Sequence, residues 1–203
     1  MFAGVPGAAL AQTDSAFFAV LRGTDTIAVE TFAREGHELR GQLVKVVTGR
    51  ERTSYRAALM DDASTPLVEY KVWKGEDKLE SPARLTGRII FKEDSAAVDE
   101  ADSKGLRTVM FQTQLGAIPY LNLSFAFMEQ ATRRARSSTL DSLSVPFFNL
   151  GGGQTLDGTV QRVGPDSETV RIGTVEFRLQ VDSSGRILGG AVPSQNLLVT
   201  RAR

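Results

Sequence analysis

Along most of this chain apolar and polar residues alternate one for one, and turn residues interrupt the alternation roughly every ten positions. Phe17, Ala19 and Leu21 alternate with Phe18 and Val20 before Gly23-Thr24-Asp25. Ile27, Val29 and Thr31 alternate up to Glu35-Gly36, and Leu39, Gly41 and Leu43 follow. Tyr55, Ala57 and Leu59 stop at Asp61-Asp62; Val68, Tyr70 and Val72 run to Trp73. Ala83, Leu85, Gly87, Ile89 and Phe91 stand opposite Arg84, Thr86 and Arg88. The pattern returns at Val145–Leu150, Thr155–Val163, Thr169–Ile172, Ile187-Leu188 and Leu197–Thr200. It is cleanest where Val175, Phe177, Leu179 and Val181 face Glu176, Arg178 and Gln180. A period of two places successive side chains on opposite faces, so each segment reads as a strand with one buried and one wet face. The charged stretch Lys74–Pro82 reads as a loop inside one domain, because the same grammar continues on both sides.

One stretch departs from this rhythm. Between Ala117 and Arg136, Leu121, Phe125, Met128, Thr132 and Ala135 recur at steps of three and four, which predicts an amphipathic helix. Gly116 and Pro119 break the preceding strand, and Asn122 and Ser124 are candidate N-caps. Arg133, Arg134 and Arg136 crowd the last turns, where cations suit the negative end of the helix dipole. The expected fold is therefore mainly β: a curved antiparallel sheet, half-barrel or barrel, of about twelve strands, covered by one central α-helix. A long antiparallel sheet twists and curls, and its concave face needs a cover.

Composition narrows the chemistry. The chain has 203 residues, with 24 basic against 24 acidic side chains. That balance argues against a nucleic-acid partner, which would favour a basic face. There is no cysteine and one histidine, His37, so cysteine catalysis, disulfides and multi-histidine metal sites are excluded and no cofactor is expected. No apolar run reaches the roughly 18–20 residues of a transmembrane helix. Residues 1–12 end in Ala9-Leu10-Ala11 before Gln12, the pattern of a cleavage site, and read as a signal-peptide remnant or a disordered N-terminus. Residues 13–203 are expected to form a single β-rich domain.

Candidate sites divide into three kinds. Tyr70, Trp73, Phe91, Phe125 and Met128 are the expected lining of a groove for a hydrophobic ligand, although the same side chains would serve equally as core. Arg133, Arg134 and Arg136 are candidates for gripping an anion or a partner protein, against the plainer reading of a favourable helix end. Gly151-Gly152-Gly153-Gln154 lacks the following helix of a phosphate loop and reads as a turn or bulge. His37, beside Glu35 and Glu38, reads as a solvated turn residue without a nucleophile motif to support it. No catalytic residue is assigned.

The run Gly23-Thr-Asp-Thr-Ile-Ala-Val-Glu-Thr-Phe32, followed by Gly36-His-Glu-Leu-Arg-Gly-Gln-Leu43, resembles exported bacterial β-sheet domains of unknown function. At fold level those domains are similar to the periplasmic lipoprotein carriers, in which a curved antiparallel sheet wraps helices around an apolar groove. The resemblance implies an extracytoplasmic bacterial protein, periplasmic or secreted. The leading expectation is an exported, non-catalytic domain that holds a lipid or another hydrophobic molecule between sheet and helix. The alternatives are a structural or accessory domain that binds another envelope protein, and an enzyme with a carboxylate-based site in the barrel mouth.

Overall fold

A computed structural model describes residues 14–47, 49–75, 77 and 81–202. The expected leader, residues 1–12, lies outside the described residues. The N-terminal half is a meander of eight strands: β1 (Asp14–Arg22), β2 (Asp25–Glu35), β3 (Glu38–Lys45), β4 (Glu51–Ala58), β5 (Leu67–Lys74), β6 (Leu85–Phe91), β7 (Ser95–Asp102) and β8 (Gly105–Gln112). Then come β9 (Ile118–Tyr120) and the helix α1 (Phe125–Ser137). A second meander follows: β10 (Ser142–Asn149), β11 (Thr155–Gly164), β12 (Ser167–Ile172), β13 (Val175–Val181), β14 (Ile187–Val192) and β15 (Leu197–Ala202).

All fifteen strands belong to one sheet, ordered β8-β7-β6-β5-β4-β3-β2-β1-β15-β14-β13-β12-β11-β10-β9. The first and last long strands of the described chain, β1 and β15, therefore pair at its centre. Its two edges, β8 and β9, are consecutive in sequence and are joined by residues 113–117 alone. Fourteen flat strand spacings would set those edges about 67 Å apart. The link reaches at most about 21 Å. The sheet must therefore curl until its edges nearly meet, leaving a seam instead of a closed ladder.

Side chains close that seam. The Thr155 hydroxyl lies 2.8 Å from the Thr113 hydroxyl, and Phe111 packs on Phe148 at 6.0 Å between ring centroids. A Cβ on Gly153 would stand 2.3 Å from the Phe111 ring, and this residue sits at φ +67°. The glycine run Gly151–Gly153 is thus a turn, as its sequence indicates, and it makes room for an aromatic ring from the opposite edge.

Three details differ from the sequence reading. Among the described residues the strands number fifteen instead of about twelve. One of the extra strands is β9, which contains Pro119; proline is tolerated there because β9 is an edge strand, paired only with β10. The helix occupies Phe125–Ser137, so residues 118–120 are extended where helix was expected. Third, β2 turns Ala28, Glu30 and Phe32 inward while Thr31 is exposed. Alternation alone favoured Ile27, Val29 and Thr31, because a buried carboxylate counts as polar.

The helix lies in the concave space of the sheet. The sheet wraps around it, so nine of its thirteen residues are buried, Glu129 and Gln130 among them. A single apolar stripe would have sufficed against one flat layer. Phe125 contacts Phe18 of β1 and Phe177 of β13 at 5.7 and 6.3 Å between ring centroids.

Candidate functional site

Polar side chains from the sheet fix the helix at three levels. At its N-terminus, Ser124 is the N-cap but makes no side-chain bond to the helix backbone. Its hydroxyl donates instead to Glu30 Oε1 at 2.5 Å, as does the Tyr55 hydroxyl at 2.7 Å. Glu30 Oε2 accepts the Phe125 and Ala126 backbone N–H groups at 2.7 and 3.0 Å. A carboxylate from β2 therefore supplies the cap that local sequence would ordinarily provide, at the positive end of the dipole. Complete burial pushes the Glu30 carboxyl above its ordinary range, although the hydrogen bonds from Ser124, Tyr55 and the two amides oppose this.

At mid-helix, buried Glu129 accepts Arg133 Nη2 at 2.8 Å, Arg201 Nη1 at 2.6 Å and the Ile187 N–H at 3.0 Å. Near the C-terminus, Arg162 Nη2 donates to the Ala135 and Ser138 carbonyls, each at 2.5 Å. Arg136 Nε lies 2.7 Å from Glu168 as an ion pair without the alignment of a hydrogen bond. Gly185 lets the β13–β14 turn settle on the helix: a Cβ there would fall 2.6 Å from the Arg133 backbone.

The helix covers β2 and the second meander more closely than it covers β4 to β8. On the concave side of that wing a cleft of about 370 Å³ remains. Its apolar floor includes Val72, Leu85, Leu121 and Leu150, and its rim carries Lys45, Glu51, Lys74, Arg84 and Asp102. Two tyrosines form the wall, each lying across a glycine of the neighbouring strand. A Cβ on Gly41 would meet the Tyr55 hydroxyl at 2.3 Å, and one on Gly87 would meet the Tyr70 ring at 2.1 Å. These glycines flatten the aromatic rings against the sheet and hold the cleft open. Tyr70 donates to Glu100 Oε1 at 2.7 Å, and Glu100 in turn holds Arg107. Burial, and then the Glu100 carboxylate, push the Tyr70 hydroxyl up. Tyr55 reaches from the cleft wall to Glu30, so the wall is linked to the helix N-terminus through that carboxylate.

The residues expected to line a ligand groove are not brought together. Tyr70 lines the cleft. Phe125 and Met128 are buried in the packed core, and Phe91 packs edge-on against Phe148. Trp73 is on the outer face of β5, with Arg52 over its ring and its Nε1 bonded to the Ser81 carbonyl. The alternation that turns Tyr70 and Val72 inward necessarily turns Trp73 outward.

The helix-end arginines bind within the fold. Arg133 pairs with Glu129 and Asp14, Arg134 donates to the Gly116 and Ala63 carbonyls, and Arg136 serves Glu168 and the Pro165 carbonyl. His37 is exposed, 3.9 Å from Asp61. Glu30, Glu129 and Glu168 are each engaged by different donors at different levels of the helix. Among the described residues no group of three or more His, Cys, Asp or Glu could hold a metal, and no helix is long and apolar enough to cross a membrane. Leu121, Leu85 and the Tyr55–Glu30 pair escaped the sequence reading. The signal for the tyrosines was present: an isolated glycine inside a strand marks a close approach, and Gly41 and Gly87 each pair directly with a tyrosine.

No family model and no curated protein sequence matches the chain. Solved structures do. A DUF1089 family protein from Pseudomonas aeruginosa superposes with a TM-score of 0.59 at 13% identity, over 83% of this chain and 91% of its own. A β-barrel-like protein of the domain of unknown function DUF1849 from Brucella abortus superposes with a TM-score of 0.54 at 11% identity, over 95% of both chains. The fold is thus shared with bacterial barrel-like domains of unknown function.

Proposed function

We propose that this chain is an exported, non-catalytic binding domain that takes a lipid or similar amphiphile into the cleft on the concave side of β4 to β8. The observation that carries this reading is the cleft itself: an apolar floor inside a ring of charges, in the part of the sheet that the helix leaves uncovered. Its volume lies in the range of small-molecule sites. An acyl chain would lie over Leu85, Leu121 and Leu150, with its polar head among Lys45, Lys74 and Arg84. Export is supported by Ala9-Leu10-Ala11-Gln12, the pattern of a cleavage site, ahead of the first strand.

Titration with a fluorescent fatty acid tests the reading. Saturable one-to-one binding is expected, lost in Leu121→Glu with the circular dichroism spectrum unchanged. The same uptake in Leu121→Glu as in the wild type would overturn it. N-terminal sequencing of the chain recovered from its source cells should begin at Gln12; an uncleaved Met1 in the cytoplasmic fraction would refute export.

A second reading, contact with an envelope protein, is favoured by β8. This edge strand pairs only with β7 and exposes Leu106, Val109 and Met110. Glu in place of Met110 would abolish such contact while sparing fatty-acid binding.

A further inference from the structure

On the other side of the helix the charges do not balance. Arg133, Arg186 and Arg201 surround Asp14: Arg133 Nη2 lies at 3.0 Å, Arg201 Nη2 at 3.1 Å and Arg186 Nε at 3.3 Å. Glu129 takes Arg133 and Arg201 as well, and Asp182 lies 3.7 Å from Arg186. These three carboxylates match those three guanidinium groups. Arg34, from β2, is a fourth cation, coupled to the same cluster. Among the described residues its only hydrogen bond is a long one, from Nη1 to Gln130 Oε1 at 3.3 Å. Among the described residues it makes no ion pair. Its Nε and Nη2 are buried and have no acceptor. Burial, and then repulsion from Arg133, lower its pKa to about 10.

Nε and Nη2 form the side-on fork of a guanidinium, the edge that binds a carboxylate or phosphate through two parallel hydrogen bonds. A buried charge with an empty fork is costly, and native structures supply such groups with an acceptor. Arg34 also lines a cleft of about 400 Å³ together with Arg133, Ser137, Ser184, His37 and Asp61. The cleft offers the guanidinium groups of Arg34 and Arg133, the latter already paired with Glu129 and Asp14, while the Ser137 and Ser184 hydroxyls donate to the Arg133 carbonyl and to Asp182. Its one carboxylate, Asp61, is almost fully exposed at the rim, beside His37.

We propose that this cleft is an oxyanion site, in which the Arg34 fork, assisted by Arg133, binds the phosphate or carboxylate group of a small molecule. The site is separate from the lipid cleft, and does not depend on that reading. The phosphate would complete the charge balance of the cluster and tie β2 to the helix.

The test uses the full chain with inorganic phosphate, and acetate in a parallel arm, each against sodium chloride at equal ionic strength. Phosphate or acetate should raise the unfolding midpoint saturably beyond the chloride control. Arg34→Lys keeps the charge but loses the fork, and should weaken binding about tenfold or more with the fold intact by circular dichroism. Leu121→Glu should leave the response unchanged. Asp61→Asn should strengthen binding. The proposal is overturned if neither anion exceeds chloride, if Arg34→Lys binds as the wild type does, or if binding appears only in Asp61→Asn, which would mean that the chain's own carboxylate fills the fork.

Discussion

The contact between Glu30 and the helix N-terminus yields a prediction with a sign as well as a size. Glu30→Ala removes the acceptor for two hydroxyls and two amide N–H groups, all buried. Unsatisfied buried donors and the cavity together cost about 3–5 kcal/mol. Glu30→Gln is much milder. Its carbonyl oxygen can face the Phe125 and Ala126 amides, while its NH2 donates to the Tyr55 and Ser124 oxygens, both of which can accept. The two hydroxyl hydrogens then lose Glu30 as their acceptor and the charge–dipole attraction is gone, but no charge has to be buried, so the loss should be about 1 kcal/mol, well below that of Glu30→Ala.

The pH dependence separates the two states of the carboxyl. Burial raises the folded pKa of Glu30 above the ordinary 4.5. Between the unfolded and folded values the native state holds the proton more tightly than the unfolded chain does. Glu30 therefore favours folding fully at low pH, and that contribution is lost as pH climbs from 4.5 through the folded value. Each unit of elevation corresponds to about 1.4 kcal/mol. Urea unfolding at several pH values, from just below 4.5 to neutrality, should show the stability of the wild type minus that of Glu30→Gln falling as pH rises. A difference that grows with pH would falsify the assignment, since it would mean that the hydrogen bonds outweigh burial. Equal losses in Ala and Gln would refute the pairing argument.

Two further substitutions probe the scaffold. Arg162→Met removes the donor to the Ala135 and Ser138 carbonyls at the negative end of the helix and should cost about 1–3 kcal/mol by urea titration; no loss would show that water serves these carbonyls as well. Gly153→Val must displace the Phe111 ring and occupy a φ of +67°, so a loss of about 2–4 kcal/mol and faster amide exchange along β8 are expected; unchanged exchange would show that the seam does not hold that edge.

Much of this architecture was legible in the residues, for a local reason. Phe177, Leu179 and Val181 face inward and Arg178 and Gln180 outward, as their alternation requires. Periodicity reports which faces must be dry, so strand content, the single helix and its burial followed from it. It failed where a buried residue is polar. Glu30 reversed the reading of β2, and the Glu129 and Gln130 flank of the helix looked wet because nothing local says that the sheet wraps around it. Trp73 was misplaced by composition: an aromatic residue near Tyr70 was grouped with it, although its parity put it on the other face.

Sequence alone determined the elements, since turn residues, alternation and helical spacing act over a few residues. The tertiary structure decided their partners. Glu30 meets a helix N-terminus 95 residues away, and Arg201 reaches an aspartate 187 residues away. No local pattern encodes such pairs. They follow from the curling of the sheet, which the five-residue link between its two edges enforces, and which leaves the apolar cleft on one side of the helix and the Arg34 fork on the other.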